Sequence, residues 1–280
     1  MTIRIVTDST SDLPEALAAS HGITVVPLSI IIGNQSYLDG VELSRQEFYR
    51  ILAESASIPT TSLPSPSQFV EVYRRLASQG ASAILSIHIA TSLSKTADAA
   101  RVAANEVSGL PITVIDSGQL SMGIGFMALA AAEAAEAGST MDDIVALIED
   151  LGTRTHTFAA LSTLKFMLRS GRLTHLQYGL ATWLNIKPLL TMHRGQAGLL
   201  KVRTTSRAVE RLISLATKLM PLEKLALIHT HAADHADALW QRARYLLPED
   251  QEPLSVEVTP VIGTHVGPGA VGFVCVSAKG

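Results

Sequence analysis

The sequence predicts an α/β protein of two units. The N-terminal unit carries a mostly parallel sheet flanked by helices, and the C-terminal unit a mixed sheet with helices. Three observations lead there. Short β-rich apolar runs alternate with helical patterns through the first half, as expected of parallel strands joined by crossover helices. Near residues 150–155 the texture changes, and a hairpin signal follows. With 280 residues, 47% of them hydrophobic, the chain can bury two cores of ordinary size. The expected division is 1–152 and 153–280.

In order along the chain, "IRIVTDS" (3–9) reads as a strand and "LPEALAASHG" as the helix behind it. "ITVVPLSIII" (23–32) reads as a second strand, followed by an amphipathic helix around "SRQEFYRILAES". "SAILSIHI" (82–89) and "PITVIDS" (111–117) are further strands. Behind them come a helix over "SKTADAARVAANEV" and a long alanine-rich helix over 120–137. "GSTMDDIVALIEDLGTRT" supplies a helix with a Ser/Thr N-cap and an acidic first turn, expected to stop at Gly152. In the second unit, "THTFAALS" is a strand and "LKFMLRSGRL" a helix ending at Gly171. Residues 184–206 form a hairpin turning at Arg194–Gly195. A helix (206–219), the strand "KLALIHTH", a helix (232–247) and two closing strands complete the chain.

Composition narrows the function. A net charge of −3 gives no basic surface for nucleic acid. The single cysteine, Cys275, excludes an internal disulfide and fits a reducing compartment; within "VGFVCVS" it reads as a buried strand position. The start, "MTIRIVTDST", lacks the features of a signal peptide. In "IGFMALAAAEAAEAG", Glu133 and Glu136 interrupt the longest apolar stretch short of a membrane span. A cytoplasmic protein with no integral membrane segment is expected.

The glycine patterns do not indicate a nucleotide. Gly267, Gly269 and Gly272 spell G-x-G-x-x-G, but the strand "FVCVS" follows them where a dinucleotide fingerprint must open a helix. Gly123, Gly125 and Ala128 fall within a helix and read as close helix packing. Neither a phosphate-binding G-x-x-x-x-G-K-[ST] loop nor a G-x-S-x-G nucleophile elbow is present in the sequence. His229, His231, Asp234 and His235 resemble the H-x-H-x-D-H zinc motif with one residue too many. They define an alternative, a metal-dependent hydrolase, that the altered spacing disfavours.

Two hydroxyl-rich segments remain. "IPTTSLPSP" (58–66) is a rigid, proline-bounded stretch, and "ATSLSKT" (90–96) joins a strand to its helix. Ser94 is expected at the N-cap or first turn, where it can cap the helix or present free N–H groups to a carboxylate or phosphate.

Together these segments resemble the DegV family. "VTDSTSDLP" (6–14), "TSLPSP" (61–66), "TSLSKT" (91–96), "VIDSGQLSMGIG" (114–125), "LRSGRL" (168–173), "LNIKPLL" (184–190), "KVRTTSRA" (201–208) and "GTHVGPGAVG" (263–272) follow the family's order across essentially the whole chain. The resemblance implies a DegV-like two-domain fold that binds one long-chain fatty acid, such as palmitate or oleate, between its domains. It implies similarity to the fatty-acid-binding, non-catalytic subunit of bacterial fatty acid kinase, which presents the carboxyl group to a separate kinase subunit for acyl phosphate formation. By family pattern Thr61 and Ser94 hold the carboxylate and His265 completes the polar network. Ser62, Thr91 and Ser92 are further head-group contacts, and Arg203 and Arg172 face the kinase. No metal and no cofactor is implied. The sequence departs from the pattern at Ala90–Thr91, at Lys95 and at Ser170. For His265 the alternative reading is a core histidine with a satisfied hydrogen bond.

Overall fold

The computed structural model describes residues 2–54, 59–172, 186–248 and 251–279. Its N-terminal unit is built on a four-stranded parallel sheet of order β2-β1-β6-β7, from β1 (Ile3–Asp8), β2 (Thr24–Val26), β6 (Ala83–His88) and β7 (Ile112–Asp116). A small antiparallel sheet, β4-β3-β5, stands beside it, from β3 (Ser29–Ile32), β4 (Gln35–Leu38) and β5 (Thr60–Ser62). The C-terminal unit holds a six-stranded mixed sheet, β10-β9-β8-β13-β11-β12. Its strands are β8 (Thr155–Ala160), β9 (Lys187–His193), β10 (Gln196–Val202), β11 (Leu222–His229), β12 (Leu254–Glu257) and β13 (Val271–Ser277). Only the β11–β12 pair is parallel in that sheet.

The helices follow from alternation along these strands. On the outer face of the parallel sheet, Val6 and Ile84 pack under α3 (Pro66–Ser78) and α4 (Thr96–Glu106). On its inner face, Ile5, Leu85 and Ile87 meet α5 (Met122–Glu136) and α6 (Met141–Arg154), with α1 (Glu15–Ser20) at the margin. The inner residues of the second sheet, among them Leu190, Ile228 and Val274, join the same cluster. The two units therefore share one helical layer. Phe158, Leu227 and Phe273, on the opposite face of the mixed sheet, pack under α8 (Thr205–Thr217) and α9 (Ala233–Ala243).

A helix wedged between two sheets needs small residues, and α5 supplies them. A Cβ on Gly125 would stand 3.0 Å from the Ser11 carbonyl oxygen and 2.9 Å from Met122 Sδ. Close packing is therefore what Gly123, Gly125 and Ala128 serve. Gly272 is stricter: a Cβ there would lie 2.0 Å from the Phe158 carbonyl oxygen of the neighbouring strand. Cys275 is fully buried on β13, as expected.

Several expectations are corrected. The run 23–32 is two strands in different sheets, because Pro27 lacks the N–H that would continue a ladder. The helix expected to stop at Gly152 runs on to Arg154 and passes directly into β8; Arg154 bonds Asp150, Glu223 and the Ser277 carbonyl there. Helix α3 was not expected, although Ser65 and Gln68 form a capping box with Pro66 at its first position. The hairpin turns at Arg194–Gly195 as expected, both with positive φ (47° and 74°), the backbone of a tight two-residue turn. The start of that segment, and Leu173, lie outside the described residues. Among the described residues no helix is long and apolar enough to cross a membrane.

Candidate functional site

A cavity of about 360 Å³ lies where the two units meet. Leu28, Ile89 and Leu93 come from the N-terminal unit, and Leu190, Met192 and Ile262 from the C-terminal unit. Leu120, at the entry to α5, Leu190, Ile262 and Val266 also line a narrow adjoining extension of about 20 Å³, whose walls include Ser121, Thr157, His229 and Thr230 as well. The extension reaches Leu161, Ile228 and Val258 under the mixed sheet. An apolar space with a few polar groups in its wall is the form of a small-molecule site.

The polar groups are those of the two hydroxyl segments and of the C-terminal histidine. Pro59 and Pro64 bracket β5 and hold it extended, and its pairing of Thr61 with Ile30 aims the half-buried Thr61 at the cavity. His265 lies in the last turn of α10 (Pro260–Val266). The helix forms because Thr259 caps it and Pro260 opens it. Gly267 and Gly269 then turn the chain into β13 at φ 76° and 84°. His265 Nε2 lies 2.9 Å from Thr61 Oγ1, and its Nδ1 is buried with no hydrogen-bond partner among the described residues. Burial lowers the imidazole pKa to about 4, with the Arg172 charge adding to the effect. At neutral pH the ring is uncharged.

Ser94 lines the same cavity. It is not the helix cap: Lys95 is, with no side-chain capping bond. The Ser94 hydroxyl is 2.8 Å from Thr96 Oγ1, so its oxygen is not committed to the helix end. Ser62 and Thr10 also line the cavity. Thr10, Lys95 and Thr191 are cavity residues that the sequence reading did not assign to the site. The signal for Thr10 was available in "VTDSTSDLP"; its hydroxyl donates to Asp8.

Two expected head-group contacts are elsewhere. Thr91 donates both its hydroxyl and its N–H to Asp116, and Ser92 donates to the Gly195 carbonyl at 2.7 Å. One is held by the end of β7 and the other by the β9–β10 turn, and neither lines the cavity. Arg172, expected to face a partner, is exposed but stands at the cavity wall. Together with Leu93 and Ala197 it also lines an adjoining outer groove. Arg203 is exposed between β10 and α8. It lies six residues beyond Ala197 in the chain, just past the end of β10.

The alternative metal centre does not assemble. His229 Nδ1 accepts the Ala232 N–H at 3.4 Å. His231, at φ 48°, turns to Glu257 at 3.3 Å and stacks on Tyr49. Asp234 and His235 are exposed on the first turn of α9. The four residues line one open pocket beside Glu257, but among the described residues no group of three or more His, Cys, Asp or Glu is arranged to hold a metal ion. A Ser-His-Asp series does exist, Ser86–His88–Asp8, with contacts of 2.7 and 2.9 Å. All three are fully buried, and Tyr73 donates to Ser86. It is a structural relay between β1 and β6, and it also holds Thr10 and the Ile89 N–H.

Fold and site define a two-unit α/β protein with a largely apolar cavity between its units, whose wall also carries hydroxyls, a neutral imidazole, Lys95 and Arg172. The model of the family described as "Uncharacterised protein, DegV family" matches residues 2–278. A DegV domain-containing protein of Streptomyces coelicolor is 41% identical over 276 residues, 97% of each chain. Among solved structures, a fatty-acid-binding DegV family protein from Thermus thermophilus superposes with a TM-score of 0.90 at 36% identity, over 99% of this chain and 100% of its own. DegV of Bacillus subtilis, described as a fatty acid binding protein, gives 0.90 at 29% identity over 99% of both chains. The chain belongs to the DegV family.

Proposed function

We propose that this protein binds one long-chain fatty acid, such as palmitate or oleate, and presents its carboxyl group to a partner fatty acid kinase. The observation that carries the reading is the apolar cavity whose wall brings together Thr61, Ser94 and His265. The fatty-acid-binding solved relatives support the ligand class. In this reading residues 1–152 supply the hydroxyl loops, and residues 153–280 cover the acyl chain and carry His265 and Arg203.

The chemistry is consistent. Burying a chain of about 16 carbons at roughly 0.8 kcal/mol per methylene yields on the order of 10 kcal/mol gross. The tail then supplies affinity, and the head group needs only orientation. Lys95 pairs with Asp98 and Arg172 is exposed at the cavity wall, so hydroxyls and a neutral imidazole orient the carboxylate without a tight ion pair, and one oxygen stays available to attack the γ-phosphorus of a nucleotide bound by the kinase. The P–O bond to the leaving nucleoside diphosphate breaks as the acyl phosphate forms. The protein itself is the substrate-presenting subunit, not the catalyst. It uses no cofactor or metal and works in the bacterial cytoplasm. Arg172 at the cavity wall and the exposed Arg203 are its kinase-facing cations.

The test is the double variant Ser94→Ala with Thr61→Ala. Acyl phosphate formation with the kinase and ATP should fall much more than fatty-acid affinity, measured by direct binding. Equal loss of both places the carboxylate elsewhere.

A further inference from the structure

We infer that Arg45, Tyr49 and Asp12 are positioning residues for His265, fixing the corner from which α10 springs and so the place where the imidazole meets Thr61. The inference deepens the reading of the site given above. Three successive residues of the C-terminal unit are each gripped by a side chain of the N-terminal unit. From α2 (Arg45–Glu54), Arg45 donates to the Glu257 carbonyl and the Tyr49 hydroxyl to the Val258 carbonyl at 3.1 Å. The Thr259 N–H donates to Asp12 Oδ1 at 2.7 Å. Asp12 is itself fixed, since its other oxygen accepts the Ser121 hydroxyl at the start of α5.

The gripped corner runs straight into the helix. Thr259 is the N-cap of α10, and its hydroxyl accepts the Val261 N–H at 3.2 Å. Tyr49 continues the grip along the helix: a Cβ on Gly263 would come within 2.5 Å of its hydroxyl oxygen. At the far end His265 reaches back to Thr61 on β5. The helix of seven residues is about 10 Å long, so a tilt of about 10° at the corner moves its far end by roughly 2 Å. That displacement breaks a 2.9 Å hydrogen bond. Tyr49 and Asp12 are each only 1% exposed, and the corner is therefore set by side chains that do not touch the cavity: none of the three lines it.

The experiment follows the His265 ring by NMR in the full chain stripped of lipid, as pH is varied. The wild-type midpoint is expected at about 4. In Tyr49→Phe, which removes only the hydroxyl, and in Arg45→Gln, it should rise by about one pH unit or more towards that of a solvated histidine. Leu212→Ala, in the cluster on the far face of the mixed sheet, should lower the melting temperature and leave the midpoint in place. A midpoint unchanged in a folded Tyr49→Phe overturns the inference, as does an equal shift in Leu212→Ala. Should Arg45→Gln fail to fold, Tyr49→Phe carries the test alone. The readout uses no fatty acid, so failure to bind lipid would sink the proposed function without touching this result.

Discussion

His265 Nε2 and Thr61 Oγ1 lie 2.9 Å apart although 204 positions separate them in the chain. One sits on α10 and the other on β5, so this contact joins the two units at the cavity wall. The other ring nitrogen is buried and unpartnered among the described residues. Thr61→Val, which keeps the shape and removes the hydroxyl, should destabilise the lipid-free protein by about 1–3 kcal/mol, read by urea unfolding. A change within error would mean that the imidazole finds another partner at no cost.

The pH dependence has two opposing parts. His265 is lowered to about 4 when folded, from 6.5; the stability it contributes is complete above about 6.5 and lost as pH falls towards 4. Asp12 is raised by burial to about 7, from 3.8, against the pull of Arg45. Its contribution is complete below about 4 and lost as pH rises through 7. Removing the Asp12 part in Asp12→Asn should therefore make the change in urea midpoint from pH 4 to 7 more positive than in the wild type. A variant profile parallel to that of the wild type would contradict this.

Ile262 lines both the main cavity and its extension. Ile262→Trp should block the extension and shift preference towards shorter acyl chains, at a cost in stability of about 1–3 kcal/mol. Competition between decanoate and palmitate reads the shift; unchanged preference would place the tail elsewhere.

Gly272→Ala tests whether the C-terminal glycines are structural. Its Cβ would collide with the backbone of β8, at 2.0 Å from the Phe158 carbonyl oxygen, and neither strand can yield without breaking the ladder. A loss of about 1–3 kcal/mol or more is expected by calorimetry. A neutral substitution would show that the two strands can separate.

Much of this was legible in the sequence. The alternation of apolar runs with helices identifies the parallel sheet, and the two positive-φ residues of the hairpin fall where Arg194–Gly195 marks them. Thr61, Ser94 and His265 do line one cavity. What was not legible is tertiary. Pro27 reads as an interruption of one strand, and only the packing shows that it sends β2 and β3 to different sheets. Thr259 and Pro260 signal a helix start, yet the seven-residue α10 is too short for periodicity to reveal against a glycine-rich background. Thr91 and Ser92 carry the same hydroxyl as Ser94, and only Asp116 and the Gly195 carbonyl distinguish their roles.

The most direct test of lipid binding is mass spectrometry of the protein purified from bacterial cells and then denatured. A stoichiometric long-chain fatty acid should be released, and stripped protein should take up added palmitate or oleate. Protein that repeatedly yields no lipid and takes up neither acid would contradict the account.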